Sequence, residues 1–200
     1  MSLTIHTFTE PPLDNNNYVV IDDQSHEAIL IDCSAPDEKI VDYIARQGAT
    51  LKYILITHAH FDHVLGAGWF MKKYQVPAYL NTGDFPLLHD MNSWLTGMGY
   101  AAQTIPELLP LPEQLLIGES PVRVIQTPGH TPGGVCYLIK NHLFAGDTLF
   151  KGTHGRVDIP MSNPDAIYES LRMLLQLPED IIVHPGHGQP TRIGDEKGKY

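Results

Sequence analysis

The sequence predicts a layered α/β protein, and three observations carry that reading. Short apolar runs of strand length recur along the chain, at residues 18–22, 28–31, 51–56, 76–80, 122–126, 135–139, 143–145 and 181–183. Stretches with helix start and stop signals fall between them, at 36–47, 66–74, 82–94 and from 163 onward. A chain of 200 residues with 42% hydrophobic content suits one domain, residues 1–200, with a sizeable core. Strands dominate each half and helices punctuate them, which fits packed layers.

Taken in order, Leu3, Ile5 and Phe8 open a first strand that Pro11-Pro12 halts. Residues 18–22 and 28–31 form a hairpin across the polar turn 22–27. Asp32 ends that hairpin and has two readings. It is a turn or cap acid, or it is a carboxylate that orients a ligating histidine through the second ring N–H. Ser34 is expected to cap a helix over 36–47, with Ile40, Tyr43 and Ile44 on one face and Gly48 at its stop. The run 51–56 is too short and too apolar for an amphipathic helix and reads as a strand. A helix ending at Tyr74 follows, with Gly66 and Gly68 near its start, and then a strand over 76–80.

Thr82-Gly83-Asp84 starts a further helix through Trp94. Residues 97–112, rich in Gly and Pro, read as a long loop. Trp94, Met98 and Tyr100 either pack under that loop or line an apolar wall. The strand 135–139 turns at Lys140-Asn141 into 143–145. Asn163-Pro164-Asp165 is cap, Pro and acid, a helix start whose buried face is Ile167, Leu171, Leu174 and Leu175. The run 181–183 is the last strand, and the polar tail 191–200 is expected to fray.

Composition narrows the function. A net charge of −10 argues against a general nucleic-acid binder, which needs a basic footprint. No apolar run reaches the ~18 residues that a membrane span requires. Residues 1–6 lack the basic and apolar regions of a signal peptide. Cys33 and Cys136 give no disulfide framework and read as small buried thiols. A reducing cytoplasm is the expected location.

The densest chemistry is Thr57-His58-Ala59-His60-Phe61-Asp62-His63, a loop between the strand at 51–56 and the next helix. Imidazole nitrogen and carboxylate oxygen are donors that a borderline divalent ion such as zinc selects. His58 and His60 are close enough to chelate one ion, while Asp62 and His63 can face a second. Further ligand-type residues stand in Gly/Pro-rich turns beside apolar runs: His130 in residues 127–134, Asp147 in Gly146-Asp147-Thr148, and His187 in residues 184–188. Such turns expose a side chain at a rigid, open position.

These motifs, in this order from Thr57 to Gly188, resemble those of the metallo-β-lactamase superfamily, and within it the short bacterial glyoxalase II-like branch. The resemblance implies an αββα sandwich, two sheets face to face with helices outside. It implies that His58, His60 and His130 hold one metal, that Asp62, His63 and His187 hold a second, and that Asp147 bridges them. Asp62 and Asp147 then serve the reaction as well as the ions. Two divalent ions are implied, zinc first, with iron or manganese accepted by the same donors. The implied reaction is attack of metal-bound hydroxide on the acyl carbon of an S-2-hydroxyacylglutathione.

Residues 146–156 resemble the glyoxalase II segment G-D-T-L-F followed by Gly-Arg. By that resemblance Arg156 binds a carboxylate of the glutathione moiety; its other reading is a structural pair with Asp158 or a backbone carbonyl. The chain departs from the larger glyoxalase II enzymes in lacking their C-terminal helical region and in having Gly188-Gln189 where an aromatic stands. β-Lactamases of this fold typically carry Cys where this chain has Asp147, and flavo-diiron proteins carry Glu where it has His60. Two alternatives share the scaffold. One is a mononuclear iron oxidoreductase similar to the persulfide dioxygenases, whose Gly-Cys-Gly-Arg segment is Thr153-His154-Gly155-Arg156 here. The other is a lactone hydrolase. The expected partner is a small thioester, with no nucleic acid and no membrane; oligomeric state is left open.

Overall fold

Two mixed sheets pack face to face in the computed structural model, which describes residues 2–11 and 13–200. The first contains β1 (Leu3–Glu10), β2 (Asn15–Asp22), β3 (Glu27–Ile31), β4 (Thr50–Leu55), β5 (Ala78–Leu80) and β6 (Leu109–Pro110), in that spatial order. β1 to β3 are antiparallel and β3 to β6 parallel. The second contains β7 (Leu116–Ile117), β8 (Ser120–Gln126), β9 (Val135–Ile139), β10 (His142–Gly146), β11 (Ile182–Pro185) and β12 (Thr191–Arg192), with only β10 and β11 parallel.

Side chains alternate across each strand, so one sequence run feeds two cores. Val20, Ile29, Ile31 and Leu55 meet Val122, Tyr137, Ile139 and Phe144 between the sheets. Their neighbours Val19, Ile21, Leu30 and Ile54 face outward onto α1 (Glu38–Arg46), α3 (Ala67–Tyr74) and α4 (Phe85–Gly97), through Ile40, Ile44, Phe70, Leu87 and Met91. Burial on both faces explains the near-continuous apolar run of β3 and the apolar end of β4, Ile54-Leu55. On the far side Cys136, Leu143 and Val183 meet Ile167, Leu171 and Leu174 of α5 (Pro164–Leu174). The result is four layers, helix, sheet, sheet, helix.

Several boundaries differ from the sequence reading. β2 begins at Asn15 because the three asparagines at 15–17 are buried and ladder with β1. The cap of α1 is Asp37, whose carboxylate accepts from the Lys39 N–H at 2.8 Å; the Ser34 hydroxyl bonds Asn17 instead. The helix after the histidine loop is broken into a single turn, α2 (Phe61–Val64), and α3. Between them Gly66 lies against the backbone of Ala35, where a Cβ would approach its carbonyl oxygen to 2.7 Å. The largest correction is the tail. Residues 191–196 form β12 and the short helix α6 (Ile193–Glu196), with both Ile193 and Glu196 fully buried, and Lys199 and Tyr200 are hydrogen-bonded to Glu196 and to the Thr153 carbonyl. One apolar residue per turn was too thin a pattern to read. Pro12, half of the expected strand stop, and Met1, the start of the segment read for a signal peptide, lie outside the described residues. Among the described residues no helix is long and apolar enough to cross a membrane.

The loops leaving β3, β4, β10 and β11 meet at one edge of the sandwich. Val135 N–H donates to the Thr57 carbonyl, Asn16 N–H to the Gly186 carbonyl, and Gly186 N–H to the Gly146 carbonyl. The first two bonds cross between the sheets beside the histidine loop, and the third ties the ends of β10 and β11 together.

Candidate metal centre

Strand β4 ends at Leu55, and the chain then turns through Thr57 to place His58 and His60; α2 carries Asp62 and His63. Asp147 follows β10, His187 follows β11, and His130 sits in the turn joining β8 to β9. All seven converge. His58, His60 and His130 bring ring nitrogens within 4.8 Å of one another, and so do the ligand atoms of Asp62, His63 and His187. Asp147 lies between the two sets, 3.4 Å from Nε2 of His63, 3.4 Å from that of His130 and 3.6 Å from that of His187. Gly186 permits this approach, since a Cβ there would collide with the Asp147 carboxylate and crowd the His63 ring.

Hydrogen bonds on the outer side of the rings fix which nitrogen points inward. Asp32 accepts at Oδ2 from Nδ1 of His63, at 2.8 Å, and from the Thr57 hydroxyl, also at 2.8 Å. With its proton spent on Asp32, Thr57 Oγ1 can only accept from Nδ1 of His58, 3.1 Å away. A single carboxylate therefore sets the tautomer of two imidazoles, the orienting role that one reading of Asp32 gave it. His130 donates through Nδ1 to the Arg156 carbonyl at 2.7 Å, and His187 to the Leu13 carbonyl at 3.0 Å. In its neutral form each of these rings carries its lone pair on the inward Nε2.

Apart from Nε2 of His187, which lies 3.3 Å from Asp62 Oδ2, those inward atoms have no hydrogen-bond partner. Nε2 of His58, His60, His63 and His130, and Oδ1 of Asp147, are all buried and unpaired among the described residues. An orphaned buried polar atom costs about 1–3 kcal/mol. Five of them facing one space make no sense as packing, but they fit the donor set of divalent cations. Charge agrees. Burial holds the His58 imidazole well below its ordinary range and His60 down at about 3. Burial also opposes protonation of His63, yet the carboxylates of Asp62, Asp32 and Asp147 outweigh it and hold that ring up at about 10. Burial pushes the Asp62 carboxyl up, but His63 and His187 prevail and keep it below the usual carboxylate range. The carboxylates attract positive charge, and cations can replace the protons.

Two supports escaped the sequence reading. Asp84, taken only as a helix start, is fully buried and accepts from Ala59 N–H, the Thr131 hydroxyl and Gly133 N–H at 2.9, 2.8 and 2.6 Å. It ties the loop of His58 and His60 to the turn of His130. The asparagine run does the same for the other half. Asn15 donates to the Asp62 carbonyl at 2.9 Å, and Asn16 to those of Pro185 and Gly188 at 3.1 and 2.9 Å. Three consecutive asparagines before an apolar strand were the available signal. Of the expected wall, Trp94 lies near His60, ring centroids 6.1 Å apart, and Tyr100 lies near Phe61 at 5.7 Å. Met98 and Tyr100 are about half exposed, at 51% and 46%. The Arg156 guanidinium is exposed and pairs with Asp158 at 2.8 and 3.0 Å.

The sequence profile of the metallo-beta-lactamase superfamily matches residues 11–187. Hydroxyacylglutathione hydrolase GloC of Haemophilus influenzae is 32% identical over 191 residues, covering 90% of this chain and 89% of that protein. Two crystal structures are similar throughout. The BLEG-1 B3 metallo-beta-lactamase has a TM-score of 0.86 and 32% identity, covering 96% of each chain. TTHA1623 in a di-iron-bound form has a TM-score of 0.85 and 35% identity, covering 97% of this chain and 98% of that one. The extent of the profile match settles the family: this chain belongs to the metallo-beta-lactamase superfamily and has its fold.

Proposed function

We propose that the protein is a dinuclear metal-dependent thioesterase that hydrolyses S-2-hydroxyacyl thioesters, with a glutathione conjugate as the candidate substrate. The observation that carries this reading is Asp147 between two ligand sets, with Nε2 of His58, His60, His63 and His130 buried and lacking a hydrogen-bond partner. In this proposal His58, His60 and His130 hold one ion, Asp62, His63 and His187 the other, and Asp147 both. Such ions supply an activated water near neutral pH and polarise a carbonyl oxygen. Zinc is the first choice for these N and O donors, and the di-iron form of TTHA1623 keeps iron beside it.

The chain's own residues supply the rest. Asp32 keeps His58 and His63 in the ligating tautomer. Asp62 stays ionised, which suits a group that orients a water proton in the centre. Cys33 and Cys136 are fully buried, and burial pushes both thiols up, which disfavours either as nucleophile. Water therefore adds to the acyl carbon as the C–S bond breaks; the acid and the thiol are the products. A thiol's ordinary pKa of ~8.5 makes thiolate a good leaving group with no dedicated acid. Arg156 exchanges its exposed partner Asp158 for a substrate carboxylate, because a pair so exposed to water is weak.

Similarity to GloC supports the thioester; similarity to BLEG-1 supports a β-lactam as rival substrate. The test is turnover of S-lactoylglutathione, a lactone and a cephalosporin by protein reconstituted separately with zinc, iron and manganese under strict anaerobiosis. Thioester cleavage without oxygen is the expected result. Cephalosporin or lactone turnover alone overturns the thioesterase reading. In a separate aerobic assay, oxygen uptake with glutathione persulfide, together with no thioester cleavage in the anaerobic one, replaces hydrolysis by oxidation.

A further inference from the structure

Beyond Asp147 the chain folds back over two residues of the centre. Gly155 N–H donates to the Asp147 carbonyl at 2.9 Å, and Phe150 N–H to the Thr153 carbonyl at 2.8 Å. The Arg156 carbonyl takes the Nδ1 proton of His130. The fit is close: a Cβ on Gly155 would collide with the Asp147 carbonyl and stand 2.9 Å from Nδ1 of His130. The orientation of His130 thus depends on where a loop holds one carbonyl oxygen. Among the described residues, the ladder pairing of this segment is limited to the single bridge between Phe150 and Thr153.

The C-terminal segment holds it from outside. Glu196 is fully buried; its Oε2 accepts from Gly152 N–H at 2.9 Å and from Lys199 Nζ at 3.0 Å. Its Oε1 accepts from the Thr191 hydroxyl at 2.6 Å. The Tyr200 hydroxyl donates to the Thr153 carbonyl at 2.8 Å, and its ring lies 6.2 Å from that of His154. A buried carboxylate is tolerated only where its oxygens are bonded. Two of its partners lie in the tail itself, but Gly152 belongs to the loop that leads to Gly155 and Arg156. A residue that merely anchored the tail would have no need of that third bond.

We infer that Glu196 is a positioning residue for the metal centre, acting through residues 150–156 on His130; the inference rests on the metal reading of this site. The tail then acts on the half that contains His130, whose Nδ1 proton rests on this loop, while that of His63 rests on Asp32.

The test compares wild type with Glu196→Ala, Glu196→Gln and Tyr200→Phe, each loaded with zinc and titrated with a chelator well below its unfolding temperature. Wild type is expected to release two equivalents. Glu196→Ala should give up one of them about tenfold more readily, the lower end for loss of an outer support, with the other unmoved. Glu196→Gln, whose carboxamide oxygen can still accept from Gly152, should recover most of the loss. Tyr200→Phe should shift the same equivalent in the same direction by less. A lowered Tm with an unchanged chelator profile in every variant overturns the inference, as does equal weakening of both equivalents. If Glu196→Ala does not fold, Tyr200→Phe decides: a selective shift supports the inference and no shift overturns it. Wild type that keeps no zinc would instead remove the metal reading on which it rests.

Discussion

His63 and His130 both aim Nε2 at the Asp147 carboxylate from 3.4 Å, yet the molecule supports them in opposite ways. His63 is fully buried and braced by Asp32, a carboxylate at the end of β3 held in a left-handed backbone conformation, φ 58°. His130 is braced by a neutral main-chain carbonyl in a loop outside both sheets. A charged brace raises the basicity of its imidazole but requires a buried charge, which is costly unless fully bonded. Asp32 meets that condition with Thr57 N–H, the Thr57 hydroxyl and His63. A carbonyl brace carries no such cost, but it is only as firm as its loop. The two halves of the centre should therefore fail in different ways.

The largest effect should come from the residue both halves share. Asp147→Ala is expected to abolish turnover, whereas His187→Ala, at the rim of one set, should retain a measurable fraction of kcat. Equal and mild losses in the two variants would show that Asp147 does not serve both sets. Next comes the charged brace. Asp32→Asn should weaken the zinc equivalent of the His63 set by about 10–100-fold, read by chelator competition, and weaken the other less, since Asp32 reaches His58 only through the Thr57 hydroxyl. Uniform weakening would remove the contrast between the halves.

A pH titration of the metal-free protein sharpens the same contrast. His63 is held up at about 10, above its ordinary value of 6.5, so its contribution is fully present below 6.5. That contribution is lost as pH rises through about 10. His60, down at about 3, does the reverse, because the unfolded chain takes up its proton first as pH falls from 6.5 toward 3. Urea unfolding across pH should show stability declining on both sides, with His63→Gln flattening the alkaline side alone. A flat profile would mean that the carboxylates do not act on His63 as described. The smallest effect is at the surface. Arg156→Ala should raise KM for S-lactoylglutathione, leave kcat nearly intact, and leave a small neutral thioester unchanged. Equal damage to both substrates would make the pair with Asp158 its whole role.

The same contrast explains what could be read from sequence. His58, His60, Asp62 and His63 lie within six positions, and His130, Asp147 and His187 stand in turns whose Gly and Pro content marks them. Ligands must sit on rigid, open backbone, so they leave a local signature. Braces need not. Asp84 before a helix reads as a helix start, and Glu196 sits among Asp195, Lys197 and Lys199 in what reads as solvated tail. Their roles depend on partners far along the chain, Thr131 for Asp84 and Gly152 for Glu196, which no local pattern encodes. The layered fold was legible because buried strands and amphipathic helices have different periods. The break between α2 and α3 was not, since it depends on how close the Ala35 backbone comes to Gly66.

One chain is proposed to hold two ions in two differently braced sets. Elemental analysis of gently purified protein, repeated after separate loading with zinc, iron and manganese, tests it most directly. Close to two equivalents per chain with at least one of these metals is the expected result. A firm ceiling of one equivalent with all three would contradict it.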